Sequence, residues 1–419
     1  MGSELDASVR ICPVPPGSKK GLNWHLRPRR TFMAVGVSLI LTSTGFISFM
    51  MQSAIPPGPW DDPDDPFHGP WGRLVPGTPH GPIAIDGDAS FSDTALLEGW
   101  PGDGSPRNPY IIDGLDIDLE GNNGSCISIS NTQVSFIISN CILTGACGEQ
   151  LWHGDGAGIF LRDVTNSDLV KNILQGNRFG IGLWLSDSNT VANNTCFSNT
   201  EHGIFLLESD YNTVANNTCS SNSIGIEVGY MSKFNKVADN TCNSNILGIQ
   251  LAFSQANTVN SNTCWSNTEQ GIFLLESDSN RVVDNTCSSN RIGIEVGYMS
   301  KSNTVSDNTC DRNGWFGIYL VLSNSSTVDG NTCRNNDCGI VLAESDSNTV
   351  VNNLCYNNRI GINIDRSYLN MVVQNTFHNP DTIIVLLLLF GLAGIIFLGA
   401  GWRMTYEASR WPGSRQEAA

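Results

Sequence analysis

The stretch NTVANNTCFSNTEHGIFLLESD, residues 189–210, is followed by NTVANNTCSSNSIGIEVGYMSK, residues 212–233. The same frame returns down the chain. Its Asn-Thr-Cys triplet ends at Cys196, Cys219, Cys242, Cys264, Cys287, Cys310 and Cys333; Asn-Leu-Cys carries it on to Cys355 and Asn-Thr-Phe to Phe377. Every step is 22 or 23 residues. A serine keeps the same step from Ser186 to Ser367 and a valine from Val191 to Val372; a Gly-Ile pair recurs with them from Gly180 to Gly361, with one step of 24 between Gly293 and Gly317. Each repeat therefore holds three short β-type runs, at Thr-Val, Thr-Cys and Gly-Ile-x-Leu, with turn residues between them.

Runs this short are unstable alone, and their apolar side chains alternate with polar ones. Coiling the chain with one repeat per turn stacks every run on its equivalents, and backbone hydrogen bonds then join turns about 4.8 Å apart. The expected fold is all-β: a single-stranded parallel β-helix over residues 125–379, of roughly eleven turns, its hand right by the general preference of parallel crossovers. Leucine-rich repeats would need several leucines per repeat, and ankyrin or tetratricopeptide repeats are longer and helical. The composition agrees, with 42 glycines and only 15% charged residues; glycine and asparagine suit turns and strand ends better than helices.

A gap of 32 between Asn140 and Asn172 fits one turn plus a ten-residue insertion within residues 145–156. A longer period is visible too. Residues 200–233 return, little changed, at 268–301, an offset of 68 or three turns; an eroded third copy starts at Gly339.

Two uncharged apolar runs flank the repeats, residues 31–51 and 382–402. Each has the length a helix needs to cross a bilayer. Lys19, Lys20, Arg27, Arg29 and Arg30 precede the first, and Arg403, Arg410 and Arg415 follow the second. The positive-inside rule then places the tails, 1–30 and 403–419, in the cytoplasm and everything between outside the cell. The first run reads as a transmembrane anchor; the alternative is a signal peptide cleaved near Ser53–Ala54. Residues 52–82 hold nine prolines and several aspartates, the composition of an extended linker. Residues 83–124 read as a capping module. With a formal net charge of -17, the chain is not expected to bind nucleic acid.

The pattern NTV-x-x-N-T-C-x-x-N followed by G-I-x-L-x-x-S resembles the NosD-like β-helix repeat, a family also described as carbohydrate-binding proteins and sugar hydrolases. The lead-in GSPRNPYIIDGLDI, residues 104–117, is similar to the segment that opens such domains in many archaeal surface proteins. The resemblance spans residues 83–379 and implies a right-handed parallel β-helix. The family's namesake is periplasmic and implicated in supplying copper to nitrous oxide reductase, so a copper-handling role is one reading the resemblance carries. The two apolar runs depart from that pattern.

Alternation points Cys196 and its seven equivalents inward, as an apolar ladder of small buried side chains. Ligands in a line do not converge on a metal, and neither metal nor other cofactor is expected. Cys126, Cys141, Cys147 and Cys338 stand outside the column and are candidates for disulfides. The asparagines at Asn194, Asn217, Asn240 and Asn262 mark bends and are placed to bond from turn to turn.

In Gly-Ile-x-Leu the residue x faces outward. That column reads Phe160, Gly182, Phe205, Glu227, Gln250, Phe273, Glu295 and Tyr319, with Trp184 in the next column. Rings beside carboxylates suit a sugar chain, so Phe160, Trp184, Phe205, Glu227, Phe273, Glu295 and Tyr319 are the candidate ligand-binding residues, for carbohydrate or another cell-envelope component. The alternative is that this stripe is covered. A polysaccharide-degrading enzyme is the competing reading. Glu208, Asp210, Glu276 and Asp278 could join Glu227 and Glu295 as carboxylate pairs, and His153 and Asp155 lie in the insertion. The carboxylates repeat every 68 residues, as scaffolding does, and no residue is assigned a catalytic role.

Overall fold

The computed structural model describes residues 77–148, 156–377 and 384–386. The apolar stretch 31–51, all but Ile384–Leu386 of 382–402, both tails, residues 52–76 of the linker, His153 and Asp155 lie outside the described residues. Among the described residues no helix is long and apolar enough to cross a membrane.

The chain winds as a right-handed parallel β-helix whose turns build three sheets of thirteen, thirteen and twelve strands. One sheet carries the cysteine column, one the valine column, and the third, built from six-residue strands, is the broad sheet. Each strand pairs in parallel with its equivalents one turn away. Cys196 lies opposite Cys219, Val191 opposite Val214 and Ile204 opposite Ile226. The three columns meet in one core that runs the length of the rod, and all of these side chains are buried.

Sharp corners separate the strands. Between the valine and cysteine strands a single residue takes a left-handed conformation: Asn193, Asn216, Asp239 and Ser261 have φ of 56–58°. Short polar side chains tolerate that region best, because they bond their own backbone there. The next residue turns its side chain inward. Asn217 Nδ2 donates to Asn240 Oδ1 at 3.0 Å and to the Val191 carbonyl at 2.8 Å, and its own N–H donates to the same Oδ1 at 2.9 Å. This pattern repeats from Asn172 to Asn375. Two further ladders run beside it, through Asn199, Asn222 and Asn245 and through Asn189, Asn212 and Asn235. A serine ladder accompanies them, with Ser209 Oγ accepting from the Ser186 N–H. Buried amides that find partners on every side stiffen the corner; unpaired, each would cost about 1–3 kcal/mol.

The insertion is accommodated between Gly148 and Gly156, because Ile142–Thr144 already pairs in register with Ile173–Gln175. One expectation is corrected. The position before Asn172 in the ladder is Cys141, whose N–H donates to Asn172 Oδ1, whereas Asn140 is the left-handed corner residue at φ 53°. Residues 77–118 supply strands to all three sheets: Thr78–Pro79 and Leu115–Asp118 to the cysteine sheet, Ile83–Asp86 to the broad sheet and Tyr110–Asp113 to the valine sheet. Helix α1 (Asp88–Glu98) lies at this end, its Phe91 packed against Trp100, Tyr110 and Phe136.

The eight ladder cysteines are free and buried. Cys126, Cys141 and Cys338 are free and buried too, so the pairing open to them on sequence is not formed. Burial pushes the Cys219 and Cys242 thiols well above the ordinary value, and those of Cys126 and Cys338 up to about 12. Thiolate is the reactive form. Sealed in the core whatever their individual acidity, all eight ladder thiols are expected to stay unlabelled by maleimide over hours at pH 7 in the folded rod, and to be released together on unfolding. Mass spectrometry of labelled peptides checks this; labelling of Cys219 or Cys242 in the folded protein would contradict the sealed ladder.

Candidate functional site

Irregularity in so regular a rod falls on the outer face of the broad sheet, near the insertion. His202 opens the strand His202–Leu207, and its Nε2 lies 2.6 Å from Glu227 Oε2 in the next turn. The contact is an ion pair; neither ring nitrogen has an aligned hydrogen bond within the described residues. Phe179 stacks on the imidazole at 5.6 Å and 25°, and Phe205 tilts against it at 5.8 Å. Arg178 bonds Glu201 at 2.9 Å and reaches the Gly148 carbonyl at 2.7 Å, where the insertion leaves the sheet. Burial alone would lower the pKa of His202. The charge of Glu227 and the contact with it outweigh burial; Glu201 adds to them and Arg178 opposes, so the imidazolium is favoured above the usual 6.5.

The duplicated block repeats the glutamate with altered neighbours: Ile246 and Leu247 stand where the first copy has Arg178 and Phe179, and Arg291 where it has Ser223. Gln270 stands where the first copy has His202, and its Nε2 donates to Glu295 Oε2 at 2.6 Å. Arg291 bonds Glu269 at 2.7 Å and lies over the Trp315 ring at 3.5 Å. Burial raises the Glu295 carboxyl above 4.5; the Gln270 hydrogen bond lowers it in part, Glu269 adds to the rise and Arg291 opposes it.

The candidate stripe is thus largely closed. Phe160 and Phe205 are 3% and 2% exposed, and Glu227 and Glu295 5% each; Trp184, Phe273 and Tyr319 are half-buried. Of the two readings of this stripe, open or covered, the second describes Phe160, Phe205, Glu227 and Glu295. Alternation sets which way a side chain leaves the sheet, but its neighbours decide whether it meets water. Phe160, Phe179 and Phe205 form their own cluster with Ala157, against which Trp184 and Leu207 pack. Gly182 makes room for it, since a Cβ there would meet the Phe205 ring at 2.4 Å. Glu227 and Glu295 sit three turns apart, about 14 Å at the usual strand spacing. That is beyond the roughly 5–9.5 Å over which two carboxyls work on one glycosidic bond.

What the sheet hides, the adjoining corner displays. Between the broad and valine strands, Tyr211 and Phe234 occupy equivalent left-handed positions in successive turns, with φ of 58° and 57°. They are 60% and 52% exposed, and their rings stack at 5.1 Å with planes 17° apart. Met231, Tyr298, Met299 and Leu322 are exposed too, in a neighbouring column that also holds Glu208 and Glu276. A bulky side chain in left-handed backbone costs about 1–2 kcal/mol, and exposing its ring gains nothing for the fold. Sequence reasoning passed over these two residues. The signal was present: the column reads Ser188, Tyr211, Phe234, Ala256, Ser279, Ser302, with two adjacent rings in a column whose other large apolar residue is Leu369 at its far end.

Residues 124–252, 154–298 and 267–385 match the family model described as "Periplasmic copper-binding protein (NosD)". Copper does not fit the described residues. Among them no group of three or more His, Cys, Asp or Glu side chains converges; the cysteines lie in a sealed line, and His202 is committed to one carboxylate. No curated protein matches the chain. Solved structures similar to it include DFA-IIIase from Arthrobacter chlorophenolicus A6 in complex with GF2, at 13% identity over 74% of this chain and 98% of that one, TM-score 0.49. The Azotobacter vinelandii mannuronan C-5 epimerase AlgE6 A-module follows, at 14% identity over 71% and 97%, TM-score 0.47. The periplasmic alginate epimerase AlgG is 17% identical over 69% and 83%, TM-score 0.44. None of these likenesses bears on chemistry.

Proposed function

The chain belongs to the NosD family, and on that premise we propose that it is a membrane-anchored β-helix, displayed outside the cytoplasm, that binds an extended carbohydrate or similar cell-envelope polymer without transforming it. The observation that carries this reading is the Tyr211–Phe234 pair: two stacked, half-exposed rings held in costly backbone, in successive turns of a corner column that takes serine, alanine or asparagine at most other turns and Leu369 at the last. Flat apolar faces on a polar rod are what the C–H faces of pyranose rings stack upon. Turns about 4.8 Å apart come close to the advance per residue of an extended glycan, so a chain laid along this corner would meet a ring at each of these two successive turns. The family's periplasmic setting and the two apolar runs with basic flanks support display beyond a membrane. An overall charge of -17 favours neutral or cationic polymers over polyanions.

A polysaccharide-degrading enzyme finds less support, because the two outward glutamates of the broad sheet, one in each candidate carboxylate group, are both buried. Copper handling finds less again, for want of converging ligands among the described residues.

Replacement by glycine separates binding from stability. Glycine removes the ring and relieves the left-handed backbone. The double variant Tyr211→Gly, Phe234→Gly is expected to unfold no more easily than the native protein and to lose glycan binding about tenfold or more, the loss of roughly 1.5 kcal/mol of ring contact. A glycan array followed by calorimetric titration of the strongest hit measures this. Undiminished binding by the double variant would sink the assignment.

A further inference from the structure

Residues 200–233 and 268–301 differ at six of 34 positions, and one of the six exchanges a titrating partner for a non-titrating one. His202 faces Glu227 at 2.6 Å; Gln270 faces Glu295 at 2.6 Å. Both glutamates are buried to the same degree, on equivalent strands of the same sheet. The pairs therefore share geometry and differ in what a proton does to them. In the first copy deprotonation strips the positive partner from a buried carboxylate. In the second the amide donates to its glutamate at any pH.

We propose that the His202–Glu227 pair is a proton-operated latch on the outer face of the broad sheet, closed when the imidazole is charged and loosened when it is neutral, and that the Gln270–Glu295 pair is its insensitive counterpart through the neutral and alkaline range. The charged groups that face His202 are Glu227 from the following turn, Glu201 from its own corner and Arg178 from the preceding turn. Arg178 also holds the Gly148 carbonyl, so the latch adjoins the base of the insertion. Loosening it frees the faces of Phe179 and Phe205, which now lie against the imidazole.

The sign follows from linkage. The folded-state pKa of His202 is raised, so its contribution to stability is complete below the unfolded value of 6.5 and disappears as pH climbs through the folded value. That of Glu295 is also raised; its contribution is complete below 4.5 and is lost as pH climbs through its own folded value. The Gln270 amide has no proton to lose, so the neutral-to-alkaline response is expected in the first copy.

Hydrogen exchange of the full-length protein between pH 6 and 9, corrected for intrinsic rates, tests this within one molecule. Peptides covering 202–207 and 224–229 are expected to open more as pH rises, by about tenfold for each unit of elevation in the pKa. Those covering 270–275 and 292–297 should stay within about twofold. His202→Gln is expected to flatten the first response, and Gln270→His to install one in the second copy. Equal pH dependence in both copies of the native protein would overturn the proposal, as would a His202→Gln variant that keeps the response or a Gln270→His variant that gains none. Should His202→Gln not fold, the native comparison and Gln270→His decide the matter.

Discussion

Gly225→Ala is expected to be among the most damaging single-methyl changes in the rod, costing about 4–6 kcal/mol, as overpacking and a broken buried hydrogen bond together would. Space, not backbone freedom, is what this glycine supplies, for its φ is not positive. A Cβ added to it would lie 2.5 Å from the Gly248 carbonyl oxygen, 3.0 Å from Asn245 Nδ2 and 3.3 Å from the Cys242 Cβ. All three belong to the following turn, and two are backbone or backbone-fixed atoms that cannot swing aside. Relief requires the turns to part, which breaks the contact of Asn222 with Asn245 Oδ1. Stability in a stacked array is roughly a sum of nearest-neighbour terms. A lesion in mid-rod should therefore split one cooperative urea transition into two. Gly314→Ala is the control, since a Cβ there would meet nothing nearer than 3.9 Å; it should change stability by no more than about 0.5 kcal/mol. Similar urea midpoints for the two variants would show that the turns are not packed as described.

The second large effect belongs to the amide ladder. Asn240→Ala is expected to cost about 4 kcal/mol, because several groups lose partners at once. Asn240 Oδ1 accepts from both the N–H and the Nδ2 of Asn217. Its own Nδ2 donates to the Val214 carbonyl and to Asn262 Oδ1. All lie in the buried corner, beyond the reach of replacement water. Asn243→Ala, three residues on, removes an amide whose bond to Ser244 is exposed, and should cost less than about 0.5 kcal/mol. Chemical denaturation of the two variants side by side measures the difference. A gap below 1 kcal/mol would mean that the ladder decorates the corner without holding it.

The fold was legible because one step of 22 or 23 residues governs several residue types at once. Cys196, Val191 and Ile204 could be assigned to the core from alternation alone, and their registers with Cys219, Val214 and Ile226 follow. Less could be read where the repeat fails. Strands at Ile83–Asp86 and Leu115–Asp118 carry no Asn-Thr-Cys triplet, and helix α1 interrupts their spacing. Of the three asparagine ladders, the one at Asn194 was recognisable by its triplet; those at Asn189 and Asn199 look like ordinary turn residues in sequence. The site was harder still. Outwardness of Phe205 and Glu227 was correct in direction, yet both are covered, because lateral packing against Phe179 and His202 depends on residues in other turns. Tyr211 and Phe234 were missed because a corner position was read as a turn signal rather than as a place from which a ring could be shown.

Each asparagine ladder donates one way, the N–H and Nδ2 of one turn to the Oδ1 of the next. The rod consequently has a head and a tail. Any segment cut at whole multiples of the repeat fits wherever another was removed, whereas a reversed segment fits nowhere. Length is then a quantity set by copying, as the repeated 68-residue block records, and the reach of such a rod can be adjusted without redesigning a single contact.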